Sequence, residues 1–391
     1  MWFQGALQEH KQDGSDCTRT TSENPLARSG LFLGSTGIGR KVTAILISVV
    51  SVALAPRPAA AIDAARVKST SDRPPRKVIV GTVMQSFWGE YPGLQKRLEQ
   101  LEEIVDRMAE QSKKKYGRGL DLAILPEVAV TGEISGDIVT SSVAFDGPVK
   151  EAFARTAQKH RCYIVVPLYL LDDAERKVCS NVAILVGRKG EVVGTYRKLH
   201  LAVPVGSDSM EGGMTPGKEA PVFDCDFGKL GMQICFDMEF DSGWDQLARQ
   251  GAEIVAWPTQ SPQTAHPAFR ALQHRYYIVS STWRDNASVF EPTGKITAQI
   301  KPPDQVLTQE IDLSYAILPW SSKLQKGDAL RKKYGDKVDF RYYEDEDCGI
   351  FWSNDAGMTI GQMVRSIGVA EAEDELQRIG KLYREAGVPA D

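Results

Sequence analysis

The chain has 391 residues, 42% of them hydrophobic and 25% charged, with 47 Lys and Arg against 51 Asp and Glu for a net charge of −4. That balance excludes a disordered chain, a collagen, a coiled coil and a multi-span membrane protein, and gives no electrostatic reason to expect a nucleic-acid partner. Six Cys in so long a chain are not a disulfide scaffold, and five His without CxxC, HExxH or a His pair at ligand spacing point to no metal site.

Residues 1–40 are polar and rich in Gly and Ser, without a period of 2 or 3.6. Arg40-Lys41 then precede the uncharged run VTAILISVVSVALA, Val42 to Ala55, followed by Pro56 and Ala59-Ala60-Ala61. Basic pair, short apolar core and small-residue site are the parts of a secretory signal, and fourteen apolar residues are too few to span a bilayer. Residues 1–61 are therefore read as a disordered leader and signal. The leader ahead of the basic pair is long, which a start codon placed too early would explain. Such a signal places the protein in the periplasm or outside the cell, with no stable membrane span after cleavage; without it the protein is cytoplasmic. Residues 62–77 read as a charged, Pro-containing linker.

Val78–Met84 reads as a buried strand. Leu94, Leu98, Leu101, Ile104, Val105 and Met108 recur at steps of three and four, which predicts an amphipathic helix fading in Lys113-Lys114-Lys115. Strand 122–125 ends at Pro126-Glu127. Helix 149–160, strand 162–170, and strands 178–186 and 191–196 around Gly187-Arg188-Lys189-Gly190 follow. Residues 200–220 form a Gly/Pro/Ser-rich loop. A hairpin of 221–226 and 230–235 precedes helix 241–250, strand 252–257, helix 266–276, strand 277–283 and a last hairpin of 288–291 with 296–300. Alternating strands and helices with many hairpins predict an α/β layered protein with mixed sheets. The region after Ile311 is charge-dense and closes in a helix with Leu376, Ile379, Leu382 and Tyr383 on one face, suited to packing on the main body or on a partner.

Three side chains stand at predicted strand ends. Cys235 closes LGMQIC ahead of a turn and helix, where backbone N–H groups and a favourable dipole stabilise a thiolate, although a lone Cys is more often a core residue. Glu127 is a base or a rim carboxylate. Lys198, beside Arg197, is a surface cation or the partner of a developing oxyanion. A thiol nucleophile needs a base and an oxyanion partner. His200 is a further available base.

Taken in order, LAILPEVAVTG around Glu127, NVAILVGRKGEVVGTYRKLHL around Lys198, KLGMQICFDMEF around Cys235, then GAEIVAWP, FRALQHRYYIVSSTW and SVFEPTGKI resemble the nitrilase superfamily of carbon–nitrogen hydrolases. The matches run from about Lys77 to Leu313. The resemblance implies a four-layer αββα sandwich over residues 78–315, with residues 316–391 as a C-terminal extension, and homodimers or higher homo-oligomers. It implies a Glu–Lys–Cys triad without cofactor or metal: Glu127 as general base, Lys198 as oxyanion cation, Cys235 as nucleophile, Glu211 in MEGGMTPG as a second carboxylate, and the Phe236 backbone N–H as oxyanion donor.

The implied reaction is hydrolysis of a small-molecule amide or N-carbamoyl amide through a thioester, releasing ammonia or an amine. Nitrile hydrolysis or acyl transfer to an amine by the same triad, and a catalytically silent binding module, are the alternatives. Cys-Phe-Asp in place of Cys-Trp-Glu favours an amide over a nitrile. No basic residue closely follows Cys235, which favours neutral or cationic amides, with Arg270, Arg275 and Arg284 as remaining sites for a substrate carboxylate. The segment DCGIFWSND, with Trp352, is a candidate cover for the cleft of the same or a partner subunit, or a surface-packing segment. Cys162 and Cys179, on neighbouring predicted strands, are either a bridge or buried free thiols.

Overall fold

Apolar residues at alternate positions give a strand two buried faces, and this chain uses both. The structure, a computed structural model, describes residues 70–390 apart from residue 135. The leader, the apolar run and the cleavage site lie outside the described residues. In β1 (Lys77–Val83), Val78 and Val80 enter one core while Ile79 and Val83 enter another. The same alternation runs through β2 (Leu122–Ile124), β3 (Tyr163–Asp173) and β4 (Val178–Val186), where Ala183 and Leu185 face one way and Val182, Ile184 and Val186 the other.

With β5 (Val192–Arg197) and β12 (Val306–Asp312) these strands form a six-stranded sheet in the order β12-β1-β2-β3-β4-β5. Strands β1 to β3 are parallel, and the others join antiparallel. The second sheet runs β11-β10-β9-β8-β7-β6, from β6 (Val222–Cys225), β7 (Gly228–Met232), β8 (Ile254–Pro258), β9 (Tyr277–Ser281), β10 (Ser288–Phe290) and β11 (Ile296–Gln299). Again the middle three, β7 to β9, are parallel.

Helices α1 (Leu94–Tyr116) and α2 (Pro148–His160) cover the outer face of the first sheet through Leu101, Val105, Met108 and Phe153. Helix α1 stops where Gly117 takes the left-handed conformation and its N–H bonds the Lys113 carbonyl; three Lys in its last turn complement the C-terminal dipole. Helices α3 (Asp241–Arg249) and α4 (Ala265–His274) pack on the second sheet through Trp244, Leu247 and Ala271. The result is a four-layer αββα sandwich.

Strand β12 was not legible as a strand in the sequence. It returns to pair with β1 from Lys77↔Asp312 to Val83↔Val306. The region after residue 315 is likewise more regular than its charge density suggests. Strands β13 (Tyr315–Pro319), β14 (Val338–Tyr343) and β15 (Cys348–Ser353) form a third sheet, joined by the short helices α5 (Asp328–Tyr334) and α6 (Ile360–Arg365) around Leu318, Leu330, Phe351 and Met363. DCGIFWSND is the central strand of this sheet: Phe351 enters its core and Trp352 lies under Arg341, so within this chain the segment packs in the third sheet. The closing helix, α7 (Ala372–Glu385), touches the main core through Ala372 and leaves Leu376, Leu382 and Tyr383 exposed.

The third sheet is pinned to the second by a buried carboxylate. Glu291, fully buried, accepts from Arg341 Nη2 at 2.5 Å and from the Thr293 hydroxyl at 2.6 Å. The last part of the expected linker is built in as well: Arg76 pairs with Glu253 at 2.6 Å, Ser71 is buried, and the Thr70 hydroxyl donates to the Tyr315 carbonyl. Cys162 and Cys179 are free thiols. Register puts Leu171 opposite Cys179, so Cys162, nine residues away along the strand, lies roughly 30 Å off, far beyond bridging reach.

Candidate active site

Parallel strands deliver their C-terminal ends to one edge of a sheet, and ligands of open α/β sheets gather there. Strand β5 runs with β3, because both are antiparallel to β4. Glu127, three residues past β2, and Lys198, immediately past β5, therefore share the same edge. The facing edge of the second sheet contributes Cys235, three residues past β7. The two edges are stitched together where Met84 bridges Thr282 and the Thr282 N–H donates to the Val83 carbonyl at 3.0 Å.

Cys235 does not end a strand, as the apolar run suggests. Strand β7 stops at Met232, and Cys235 opens a 3₁₀ turn, Cys235–Glu239, at φ 41°. A positive φ on a non-glycine residue costs roughly 1–3 kcal/mol and persists only where the surroundings impose it. Here the Trp257 indole N–H donates to the Cys235 carbonyl at 3.2 Å, with Thr259 and Gln260 beside the sulfur. Phe236 follows on the same turn, its ring partly exposed.

Lys198 and both glutamates meet in a nearly dry cluster. Lys198 Nζ donates to Glu127 Oε1 at 2.7 Å and to Glu211 Oε2 at 3.1 Å. The Cys235 thiol lies close enough to the Glu127 carboxyl for each to shift the other's titration. Glu211 reaches in from a 3₁₀ turn, Met210–Gly213, inside the expected loop, its backbone at φ 45°. Its N–H is held by the Ala202 carbonyl at 2.7 Å. All four predicted side chains thus converge.

Burial governs the electrostatics. It raises the Glu127 carboxyl, and the Glu211 charge adds to this against the pull of Lys198, so Glu127 sits above the usual glutamate range. Burial opposes the Lys198 charge, but the Glu127 and Glu211 carboxylates outweigh it and hold the ammonium well above the ordinary lysine value. Burial and then the Glu127 charge push the Cys235 thiol up to about 12, against the Lys198 charge and the polar groups of Thr259 and Gln260. The resting sulfur is therefore a thiol beside a carboxyl of raised basicity.

Sequence reasoning missed Asn181. Its Nδ2 donates to Glu127 Oε1 at 3.0 Å and to Glu211 Oε1 at 2.6 Å, placing one neutral amide between two carboxylates. The signal was an Asn inside the apolar strand VCSNVAILV, because a fully buried amide must find partners. The Tyr169 hydroxyl adds a 3.2 Å bond to Glu211, and the Trp283 indole N–H fixes the Glu127 backbone carbonyl at 2.9 Å. His200 is no base for the cluster. Its Nδ1 lies 3.0 Å from Asp237 Oδ1 and its ring stacks on Phe240 at 4.1 Å. The three arginines are each engaged elsewhere: Arg270 with Asp241 at 2.5 Å, Arg275 with Glu373 at 3.6 Å, Arg284 with Asp285 at 2.6 Å.

The described residues contain no helix long and apolar enough to cross a membrane and no cluster of three metal-ligating side chains.

The model of the carbon–nitrogen hydrolase family matches residues 85–318, more than half of the chain. An omega-amidase of Danio rerio is 25% identical over 224 residues, 52% of this chain and 80% of that protein. A deaminated glutathione amidase of Homo sapiens is 30% identical over 158 residues, 34% of this chain and 48% of that protein. A beta-ureidopropionase of Arabidopsis thaliana is 29% identical over 153 residues, 37% of each chain. Among solved structures, a Saccharomyces cerevisiae member of branch 10 of the nitrilase superfamily overlays with a TM-score of 0.53 at 20% identity, covering 61% of this chain and 90% of that one. A nitrilase-superfamily amidase of Nesterenkonia overlays at 0.52 and 19%, covering 61% and 92%. These two share the fold.

Proposed function

The chain belongs to the carbon–nitrogen hydrolase family, and we propose that it hydrolyses a neutral carboxamide or N-carbamoyl amide through a thioester on Cys235. One observation carries this reading. A thiol, a carboxyl and an ammonium that are 37 to 108 positions apart in the chain (235 − 198 and 235 − 127) meet in one buried cluster, with Lys198 2.7 Å from Glu127 and the Cys235 thiol in electrostatic reach of both.

The chemistry follows from the donors and acceptors. Glu127 takes the Cys235 proton as sulfur bonds to the amide carbon. The oxyanion is stabilised by Lys198 Nζ and the Phe236 N–H. The C–N bond breaks, and Glu127 returns the proton to the departing ammonia or amine. Water then attacks the thioester, Glu127 takes its proton, and the acid leaves as the thiol is restored. The sum is one amide and one water giving one acid and one amine. Glu211 shares the Lys198 ammonium and keeps it charged beside the reacting carbon.

Two features support a neutral acyl group. Lys198 is held between two carboxylates, and Arg97 is buried under Phe87, donating to the Ala129 carbonyl. With Arg270, Arg275 and Arg284 also paired, none of these cations is left for a substrate carboxylate. The half-exposed Trp88 stands edge-on to Trp283, whose indole holds the Glu127 backbone carbonyl.

The test is an amide panel read by ammonia or amine release, with mass spectrometry of the Cys235 peptide. Removing the nucleophile in Cys235→Ala should cost more than the roughly 10²–10³ in turnover lost with one oxyanion donor. An acyl adduct on Cys235 discharged by water supports hydrolysis; discharge only by added amine replaces it with acyl transfer. Undiminished turnover in Cys235→Ala, or no adduct from any amide, carbamoyl compound or nitrile, overturns the proposal.

A further inference from the structure

Asp237 lies two residues beyond Cys235, on the same 3₁₀ turn, and is fully buried. A buried carboxylate is costly unless its lone pairs are filled. Here all are. Oδ2 accepts from the Tyr196 hydroxyl at 2.6 Å and the Ile234 N–H at 2.9 Å. Oδ1 accepts from the His200 N–H at 2.8 Å and from His200 Nδ1 at 3.0 Å. An ionised carboxylate offers about four acceptor sites and no donor, so it matches four donors and assigns the His200 proton to Nδ1. Burial and the Asp237 charge hold the Tyr196 phenol well above its usual range, which keeps it a donor.

The identity of the four donors matters. Ile234 immediately precedes Cys235, and its N–H anchors the turn that holds the nucleophile at positive φ. Tyr196 and His200 stand two residues before and two after Lys198. The Tyr196 oxygen also accepts the Leu199 N–H at 3.3 Å, which closes the strand end around the lysine. The Asp237 backbone carbonyl accepts the Trp244 indole N–H at 2.9 Å, tying the turn to α3. One carboxylate therefore joins the backbone that aims the sulfur to the backbone that aims the ammonium, across the seam between the two sheets.

We infer that Asp237 is a positioning residue: it sets Cys235 against Lys198 and touches neither the substrate nor the reacting atoms. The inference rests on the proposed roles of Cys235 and Lys198. An asparagine in its place keeps the size but replaces two acceptor sites with an NH₂ group that must face donors, so one of the two backbones loses its anchor. A displacement of about 1 Å between reacting groups can cost about 10²-fold in rate.

The experiment compares the full chain with Asp237→Asn, Tyr196→Phe and His200→Ala. In each, turnover is divided by the number of Cys235 thiols labelled by iodoacetamide, counted by mass spectrometry of the Cys235 peptide. A purely structural role lowers melting temperature and the number of competent sites, but leaves turnover per labelled thiol unchanged. The expected result for Asp237→Asn is a fall in kcat per labelled thiol of about 10²-fold with KM unchanged. Tyr196→Phe and His200→Ala, which each remove one donor and keep the carboxylate, should fall in the same direction by less. Parental kcat per labelled thiol in Asp237→Asn overturns the inference. If that variant does not fold, parental values in both of the others overturn it. Cys235→Ala, run alongside, separates the two levels: activity surviving there removes the nucleophile assignment itself.

Discussion

Replacing Asn181 by Val removes the amide that separates Glu127 from Glu211. Valine suits a strand, carries no donor and leaves little room for water. Asn181 Oδ1 accepts from no group among the described residues, so the loss is confined to the two Nδ2 bonds, at 3.0 Å to Glu127 and 2.6 Å to Glu211. A hydrogen bond to a charged group contributes about 1.5–3 kcal/mol, and one pH unit corresponds to about 1.36 kcal/mol. Losing the bond to Glu127 disfavours its ionised form and raises a carboxyl already above its usual range by roughly one to two pH units. The proposed base works only when deprotonated. Activity therefore fails as pH falls through the Glu127 value, and the acid limb of kcat/KM should move upward in Asn181→Val by about that amount, with the plateau above it far less affected. The measurement is the pH profile of kcat/KM for both proteins on one amide. A folded Asn181→Val protein whose acid limb coincides with that of the parent refutes the reasoning.

Two further substitutions probe the scaffold. At Gly217, whose N–H donates to the Lys198 carbonyl at 2.9 Å, an added Cβ would fall well inside contact distance of the Arg197 carbonyl. That carbonyl is backbone and cannot rotate away. Gly217→Ala should lose about 1–3 kcal/mol in urea melts and, because the displaced strand end carries Lys198, a larger share of its turnover. Arg341→Met leaves Glu291 buried without its cation. The cost should be about 3 kcal/mol, the lower end for a broken buried pair because Arg341 is about a third exposed. A melting transition unchanged from the parent would show that the third sheet is not held by this pair.

Much of the sandwich was legible because a strand or helix facing a core must place its apolar residues at its own period. Val78 to Val83, the 23-residue helix α1 and the nine residues of β4 could be read from their own neighbours. The motifs around Glu127, Lys198 and Cys235 were legible for a different reason: residue type and order survive in a chain even when its shape is unknown. Strand β12 was hidden, since its pairing partner lies 235 positions away at Lys77 (312 − 77), and the third sheet was masked by its charged outer face.

The amino-acid order by itself determined the layered α/β class and the candidate nucleophile, base and cation. Tertiary structure alone decided that β7 ends before Cys235, that the thiol sits at positive φ, that Asn181 lies between two carboxylates, and that His200 belongs to Asp237. Periodicity records what each residue does to its immediate neighbours along the chain. Hydrogen-bond partners and the burial that shifts a carboxyl, an ammonium and a thiol arise only when strand ends distant in sequence are brought to one edge.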